Sequence, residues 1–545
     1  MKFVTSRLPT ANDLRSAARV LYRLPPLMRR RVTRDEAHRE LRARLENRNA
    51  NFLALAKRTI YQNPQSPYRR LFEFAGCEFG DLEGLVQREG LEEALRFLYR
   101  KGVYLTVDEL RGHRPVVRGS LSFQIMPGQL RNPGTATDMV WRSGGSRSAA
   151  MEIPIDFASI RDHAVDQFLE IEAHGGLRWA PAIWSVPGGA AIGQVIQYTM
   201  CGMPPGNWFL PVNPAVPGLH PRHVWGSRML RLAGLFGGFI LPQPVHVSPR
   251  DPQPIIRWIV ETLASKRTPF LFTYVSCAVR ICQAARDTGL DLKGARFMVT
   301  GEPLTSARLA IIQSAGAQPI TRYGTSEAGA LGRGCMAPEA ADDVHVVQDG
   351  FGMIQPDDQA HPALPPDTLL VTTLLPRARL ILLNVSMGDR AVMTKRNCGC
   401  PLGRLGWTTH LHTICSFEKL TVGGVTALHA DLIHVLEEVL PGRFGGGAMD
   451  YQLAEGETEN GKPDVRLMVH PRLGPIDENK VRELFLDAVG FDSGADRLTA
   501  LLWRDAGLPI VERREPKITG AGKVQHVHSE RIGAPASLSK LGSKQ

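Results

Sequence analysis

A chain of 545 residues exceeds what one ordinary hydrophobic core supports, so two or more domains are expected. Its 43% hydrophobic and 22% charged residues are the composition of a soluble globular protein. The most apolar stretch, residues 229–241, is short and holds Arg231 and several glycines, so no membrane-spanning helix is expected. The formal charge of +11 suits anionic ligands such as nucleotides.

That charge is concentrated at the start. Residues 1–34 carry Lys2, Arg7, Arg15, Arg19, Arg23, Arg29, Arg30, Arg31 and Arg34 against one acid, Asp13. An organelle transit peptide or a membrane-surface helix has this composition. The preferred reading is a solvated basic extension, and nucleic-acid binding is set aside because no recognition module accompanies the charge. No secretory apolar segment is present, so a reducing cytoplasmic setting is expected. The eight cysteines then read as thiols or metal ligands.

Residues 34–62 place Ala37, Leu41, Leu45, Phe52, Leu55 and Ala56 at helical spacing and predict one amphipathic helix, ended by the Asn63-Pro64 turn. Further helices are expected from 68 and over 90–100, with a helix start at 106–110. From 139 to about 383, short apolar runs alternate with helical patterns, the rhythm of a parallel sheet with crossovers. Strands are expected at 182–186, 238–241, 270–274, 296–300 and 318–322. Helices are expected at 157–174, 220–235, 252–265, 277–288 and 306–315. After about 415 the pattern becomes a small α+β unit, with strands at 419–422, 464–470 and 498–503 and helices at 430–440 and 478–489.

The most informative stretch is Tyr323-Gly324-Thr325-Ser326-Glu327, which comes after a strand-like run. A strand end bearing Gly, small hydroxyls and an acid is where open α/β sheets bind ligands. Gly324 permits a tight turn, Tyr323 offers a flat face to a base, and Glu327 can hold a cation that bridges phosphates. Upstream, Arg142-Ser143-Gly144-Gly145-Ser146-Arg147-Ser148 supplies backbone N–H groups, hydroxyls and a guanidinium suited to phosphate. Gly301-Glu302-Pro303 sits between a strand and a helix, and Lys523 lies on the glycine-bearing loop 516–523. Cys335, His345 and Cys398-Gly399-Cys400 make three thiols and one imidazole, a closed tetrahedral zinc set.

In this order and spacing the motifs resemble the adenylate-forming acyl- and aryl-CoA ligase superfamily, most closely its phenylacetate–CoA ligase-like branch. The resemblance spans about residues 67–532. It implies an α/β large N-terminal domain with mostly parallel sheets (67–415) and a small, mobile α+β C-terminal lid domain (416–532). These are flanked by a basic helical extension (1–66) and a tail (533–545). It further implies ATP-dependent activation of a small carboxylic acid, aryl or otherwise specialised, to an acyl-adenylate, then transfer to a thiol, CoA foremost. A carrier protein or an amine is the alternative acceptor, and a degenerate nucleotide-binding relative is the non-catalytic alternative. A dimer is the expected assembly.

By the same resemblance Glu302 and Pro303 line the adenine, Tyr323 stacks on it at the Gly324 turn, and Thr325 touches the α-phosphate. Glu327 holds Mg2+, Asp389 accepts the ribose hydroxyls, and Lys523 reaches the α-phosphate and carboxylate as a mobile charge. Ser143, Ser146 and Arg147 stand in the phosphate loop. Zinc on Cys335, His345, Cys398 and Cys400 is structural. Aromatic residues of the 180–250 region, namely Trp179, Trp184, Trp208, Phe209, Trp225 and Phe236, are candidates for the acyl pocket.

Two segments depart from the family pattern. The phosphate loop lacks a Gly, the Lys and the Pro of Ser-Ser-Gly-Thr-Thr-Gly-Lys-Pro. The hinge Gly-Arg-x-Asp-Asp becomes Ile414-Cys415-Ser416-Phe417-Glu418. Cys415 replaces the ribose-contacting arginine, a loss of about 1–3 kcal/mol of nucleotide binding.

Overall fold

The computed structural model describes residues 11–126, 128–142, 152–186, 188–214, 222–356, 364–365, 367–416, 419–422, 425–428, 432, 435–447, 450–457, 463–490, 495–517 and 527–529. Twelve strands form its main sheet. In chain order they are β1 (Ala180–Trp184), β2 (Asn207–Leu210), β3 (Pro244–His246), β4 (Pro269–Tyr274), β5 (Arg296–Thr300), β6 (Gln318–Thr325), β7 (Gly329–Gly334), β8 (Val344–Val346), β9 (Phe351–Ile354), β10 (Thr368–Thr373), β11 (Val385–Lys395) and β12 (Thr409–Ser416). Across the sheet the order is β9-β10-β11-β12-β8-β7-β6-β5-β4-β1-β2-β3. Pairing from β3 through β6 is parallel. From β6 to β9 it is antiparallel.

The parallel half is the expected α/β unit. β1 and β4 are buried along their whole length, as parallel strands covered on both faces must be. Successive side chains feed opposite cores. Ile183, Phe270, Phe272 and Met298 enter one cluster, while Ala182, Trp184, Leu271, Phe297 and Val299 enter the other. The strand expected at 238–241 does not form there; Gly238 turns with φ +82° at the end of a helix, and the edge strand is Pro244–His246.

Helices of the large domain include α1 (Ala11–Arg29), α2 (Arg34–Glu46), α3 (Phe157–Ala173), α4 (Gly189–Met200), α5 (Arg222–Gly237) and α6 (Val275–Asp287). The single helix expected over 34–62 breaks at Asn47, whose side chain donates to the Ala43 carbonyl at 2.8 Å. α1 is not a solvated extension. Val20, Leu24 and Met28, spaced one turn apart, are buried in the same core as Leu41 of α2 and Ile160 of α3.

Among the described residues the C-terminal unit has a hairpin of Lys419–Val422, as expected, with Val425–Leu428, and a four-stranded sheet of β13 (Tyr451–Glu457), β14 (Pro463–Val469), β15 (Ile510–Arg513) and β16 (Val527–Ser529), in the order β15-β14-β13-β16. Helices α7 (Glu478–Val489) and α8 (Ala495–Ala506) pack together through Phe485 and Trp503, whose rings stack 6.2 Å apart. The strand expected at 498–503 is therefore part of α8. A short apolar run fits either period, and burial of Ala500, Leu502 and Trp503 against α7 selects the helix.

Candidate nucleotide site and metal corner

β6 changes partners partway along. Gln318–Thr321 pair in parallel with β5, and Arg322–Thr325 pair antiparallel with β7. The Tyr-Gly-Thr-Ser-Glu motif is the tip of this second pairing, a hairpin standing where the two halves of the sheet meet. A register shift falls between Tyr323 and Gly324. A Cβ on Gly324 would lie 2.5 Å from the Gly329 carbonyl oxygen, so only glycine allows the strands this close. Gly329 closes the turn at φ +88°, and the Thr325 hydroxyl accepts the Ala328 N–H at 3.1 Å.

The acids around this tip already have partners. Tyr323 donates its hydroxyl to Asp389 Oδ2 at 3.0 Å. β6 and β11 stand four places apart in the sheet, so this bond closes the antiparallel half on itself. Burial and the adjoining Asp389 carboxylate push the Tyr323 phenol well above its ordinary value, so it stays a donor. Glu302, just past β5, accepts from Ser276 N at 2.7 Å and Ser276 Oγ at 2.8 Å, anchoring the first turn of α6. Pro303 is exposed, and its carbonyl accepts from Arg308 at 2.9 Å.

Glu327 is 4% exposed and accepts from Arg111 Nη2 at 3.0 Å. Arg111 is delivered by the short helix Val107–Leu110, which a Thr106/Glu109 capping box starts. That segment is tied to β11, since Ser386 N donates to Leu105 O at 2.8 Å. The carboxylate expected to hold Mg2+ thus carries a guanidinium in this structure. Beside it lies a cavity of about 20 Å³, room for one water, lined by Ser159, Asp162, His163, Arg377 and Arg379. Behind the hairpin, Arg322 Nη2 and Arg333 Nη1 both donate to Glu170 Oε2, at 2.8 and 2.6 Å. Burial opposes ionisation of Glu170, but the two arginines outweigh it and hold its carboxyl below the ordinary value.

The cysteine–histidine corner is built differently. Cys335 comes after β7, His345 lies on β8, His410 pairs with it on β12, and Cys398-Gly399-Cys400 comes after β11. The donor atoms of Cys335, His345, Cys398 and His410 all lie within 4.8 Å of one another. Cys400 Sγ is 3.1 Å and Cys398 Sγ 3.7 Å from His345 Nε2. His345 Nδ1 sits 2.6 Å from the Trp407 carbonyl, and His410 Nδ1 sits 2.9 Å from Asp343 Oδ1. Both contacts orient the imidazoles with Nε2 free for a metal, the usual outer-shell arrangement of a ligating histidine. His410 Nε2 is buried with no hydrogen-bond partner. Burial and the neighbouring His410 hold His345 down at about 4, so its ring is neutral. Burial resists charge on Cys400, but the N–H groups of Gly403 and Met336 favour its thiolate. Without a cation, burial pushes Cys335 up to about 12. Three thiols and two imidazoles, one with its Nε2 unpartnered, are one donor more than a tetrahedral zinc takes, and the four within 4.8 Å of one another include His410 rather than Cys400.

The architecture has solved counterparts. A 2-hydroxyisobutyryl-CoA ligase, determined with 2-HIB-AMP and CoA in its thioesterification state, matches with a TM-score of 0.52. The match covers 97% of this chain and 95% of that one at 16% identity. The chain shares the fold of this CoA ligase. An amide bond synthetase from Marinactinospora thermotolerans matches at 14% identity over 94% of this chain and 98% of that one, with a TM-score of 0.42. An anthranilate CoA ligase with bound anthranoyl-AMP matches at 13% identity over 71% and 65%, with a TM-score of 0.34. No protein-family model matches the sequence, and no curated protein matches it.

Within this fold Tyr323 and Asp389 meet directly, Thr325 and Glu327 stand on the same hairpin, and Glu302 comes just past β5, the strand beside β6. Ser143, Ser146, Arg147, Lys523, Phe417 and Glu418 lie outside the described residues. Cys415, on β12, receives Arg390 Nε at 3.2 Å. Of the acyl-pocket candidates, Trp184, Trp208 and Phe209 are core residues of the sheet, whereas Trp225 and Phe236 face solvent. Trp179 packs on Phe270 with ring centroids 5.0 Å apart. Sequence reasoning missed Arg111 and His410. Arg111 has no motif around it, but a second histidine ten residues past the Cys-x-Cys was a readable signal for His410.

Proposed function

We propose that this protein uses ATP to activate a small carboxylic acid as an acyl-adenylate, releasing pyrophosphate, and passes the acyl group to a thiol, CoA foremost. The observation that carries this reading is the Tyr323–Asp389 bond at the tip of β6. This bond holds a flat ring beside a carboxylate able to accept ribose hydroxyls, at the sheet's change of direction, which supports the reading. In this reading adenine lies on Tyr323 beside Glu302 and Pro303, and the ribose hydroxyls donate to Asp389. Thr325 meets the α-phosphate, while Ser143, Ser146 and Arg147 hold the outer phosphates.

Adenylyl transfer needs positioning and charge neutralisation rather than covalent help. Glu327 would hold Mg2+ by exchanging its Arg111 partner for the ion, which would supply charge neutralisation on the phosphates. Lys523, on the small domain, brings a mobile positive charge to the α-phosphate and the attacking carboxylate. Zinc would be held by four donors drawn from Cys335, Cys398, Cys400, His345 and His410, and its role would be structural: it would tie β7, β8, β12 and the loop after β11 together at the end of β7 away from the hairpin tip.

The test is pyrophosphate exchange across a panel of aliphatic and aryl acids, with and without CoA. Exchange that depends on the acid, and AMP release that depends on CoA, are expected. Lys523→Ala should cut exchange at least about a hundredfold while ATP still binds. AMP release that needs a carrier protein or an amine instead reassigns the acceptor. Wild-type protein that binds ATP but exchanges with no acid overturns the proposal.

A further inference from the structure

Two acid-free stretches of the chain meet on one flank of the large domain. No Asp or Glu occurs from Leu14 to Arg34, and none from His174 to Arg250. The first stretch contains most of α1 and the second contains α5. These helices lie together: Arg29 donates to the carbonyl oxygens of Phe236 and Gly237, where α5 ends. Their inner faces are core, with Val20, Leu24 and Met28 from α1 and Leu230 and Ala233 from α5.

The outer face of α5 is apolar as well. Trp225, Leu232, Leu235 and Phe236 fall at i, i+7, i+10 and i+11, one helical stripe, and all four are exposed. Tyr22 on α1 is 84% exposed, and Ile240, just past α5, is 88% exposed. The exposed guanidinium groups of Arg19, Arg30, Arg31 and Arg228 belong to the same two stretches. An apolar stripe left in water marks a contact surface. Its chemistry selects the partner. A second copy would set one arginine-rich flank against another, with Asp138 and Glu36 already paired to Arg23 and Arg30, and an acidic protein would answer the arginines but not the stripe. A bilayer surface answers both, with Trp and Tyr at headgroup level, Leu, Phe and Ile in the acyl boundary, and arginines on lipid phosphates.

We propose that the α1–α5 flank docks this protein peripherally on an anionic membrane surface. The contact is interfacial, since among the described residues no helix is long and apolar enough to cross a membrane. It does not depend on the catalytic reading.

The test is co-sedimentation of the full chain with vesicles of phosphatidylcholine alone or with about a third phosphatidylglycerol. Binding to the anionic vesicles, weakening as salt rises, is expected. Leu235→Ser combined with Phe236→Ser should lower the partition constant about tenfold or more. Arg31→Glu combined with Arg228→Glu should lower it and flatten the salt dependence. Brominated lipid should quench tryptophan emission in the wild type and less in Trp225→Phe. Unchanged circular dichroism melts show that the variants are folded. Equal binding to neutral and anionic vesicles, no binding at low salt, or undiminished binding by the serine variant overturns the proposal. So does a dimer seen by light scattering that the serine variant abolishes while wild-type protein ignores vesicles, which would assign the flank to a second copy.

Discussion

At the tip of β6, the acids expected to serve a nucleotide are answered by the chain itself: Glu302 by Ser276, Glu327 by Arg111, and Asp389 by Tyr323. In the same antiparallel half, the donors of the cysteine–histidine corner crowd together instead, with His410 Nε2 buried and unpartnered. The two regions show two ways to keep polar groups inside a fold. At the tip each of these acids is answered by a donor of the chain itself, whereas at the corner one buried nitrogen, His410 Nε2, has no donor or acceptor among the described residues.

The largest effect is expected behind the hairpin. Glu170→Gln removes the negative charge shared by Arg322 and Arg333 and should cost about 3–5 kcal/mol, read as a lower denaturant midpoint at unchanged m. Its pH dependence has a definite sign. The folded carboxyl titrates below its unfolded value, so its stabilisation is complete above the ordinary glutamate value of about 4.3 and is lost as pH falls through the folded one. Glu170→Gln should flatten the acid limb of the stability curve, and an unchanged limb would exclude Glu170 as its source.

Arg111→Ala tests whether internal pairing keeps the nucleotide site stable. It leaves Glu327 buried without its cation and should cost about 3 kcal/mol. Millimolar Mg2+ or a second change, Glu327→Gln, should restore part of that loss in thermal melts. Loss of stability indifferent to both would break the comparison.

At the metal corner, purified protein should hold about one zinc per chain. Zinc at a hundredfold excess over its Kd should stabilise stripped protein by about 2–3 kcal/mol. His410→Ala should weaken zinc retention against a competing chelator, and His412→Ala, a half-buried neighbour whose Nδ1 meets the Thr413 hydroxyl, should not. Absence of zinc from metal-replete protein would remove the contrast altogether. The smallest effect belongs to Tyr323→Phe. Losing one hydrogen bond to Asp389 should cost about 0.5–1.5 kcal/mol and raise the nucleotide Kd correspondingly, with the ring still present for stacking.

The parallel half was readable from the chain because its strands are unbroken apolar runs. The expected strand at 296–300 matches Arg296–Thr300 residue for residue. The antiparallel half was not readable, and the reason is chemical. Arg333, His345 and His410 are fully buried in β7, β8 and β12. Charge and metal-type donors occupy positions where alternation would show Val or Leu, so the period of two disappears. The fold of the nucleotide tip was legible because Gly324 and the hydroxyls beside it have a local role. Its electrostatics were not, because each acid is answered from elsewhere in the chain.

By itself the sequence determined the α/β rhythm, the glycine at the hairpin, the Cys-x-Cys and the acid-free basic stretches, all properties of a few neighbouring residues. The tertiary structure alone decided which charge meets which. Arg111 reaches Glu327 across 216 positions, His410 joins a corner begun at Cys335, and the α5 stripe faces water rather than substrate. Local periodicity is set by backbone geometry within a turn or two, whereas charge compensation and exposure depend on segments that meet only when the sheet closes.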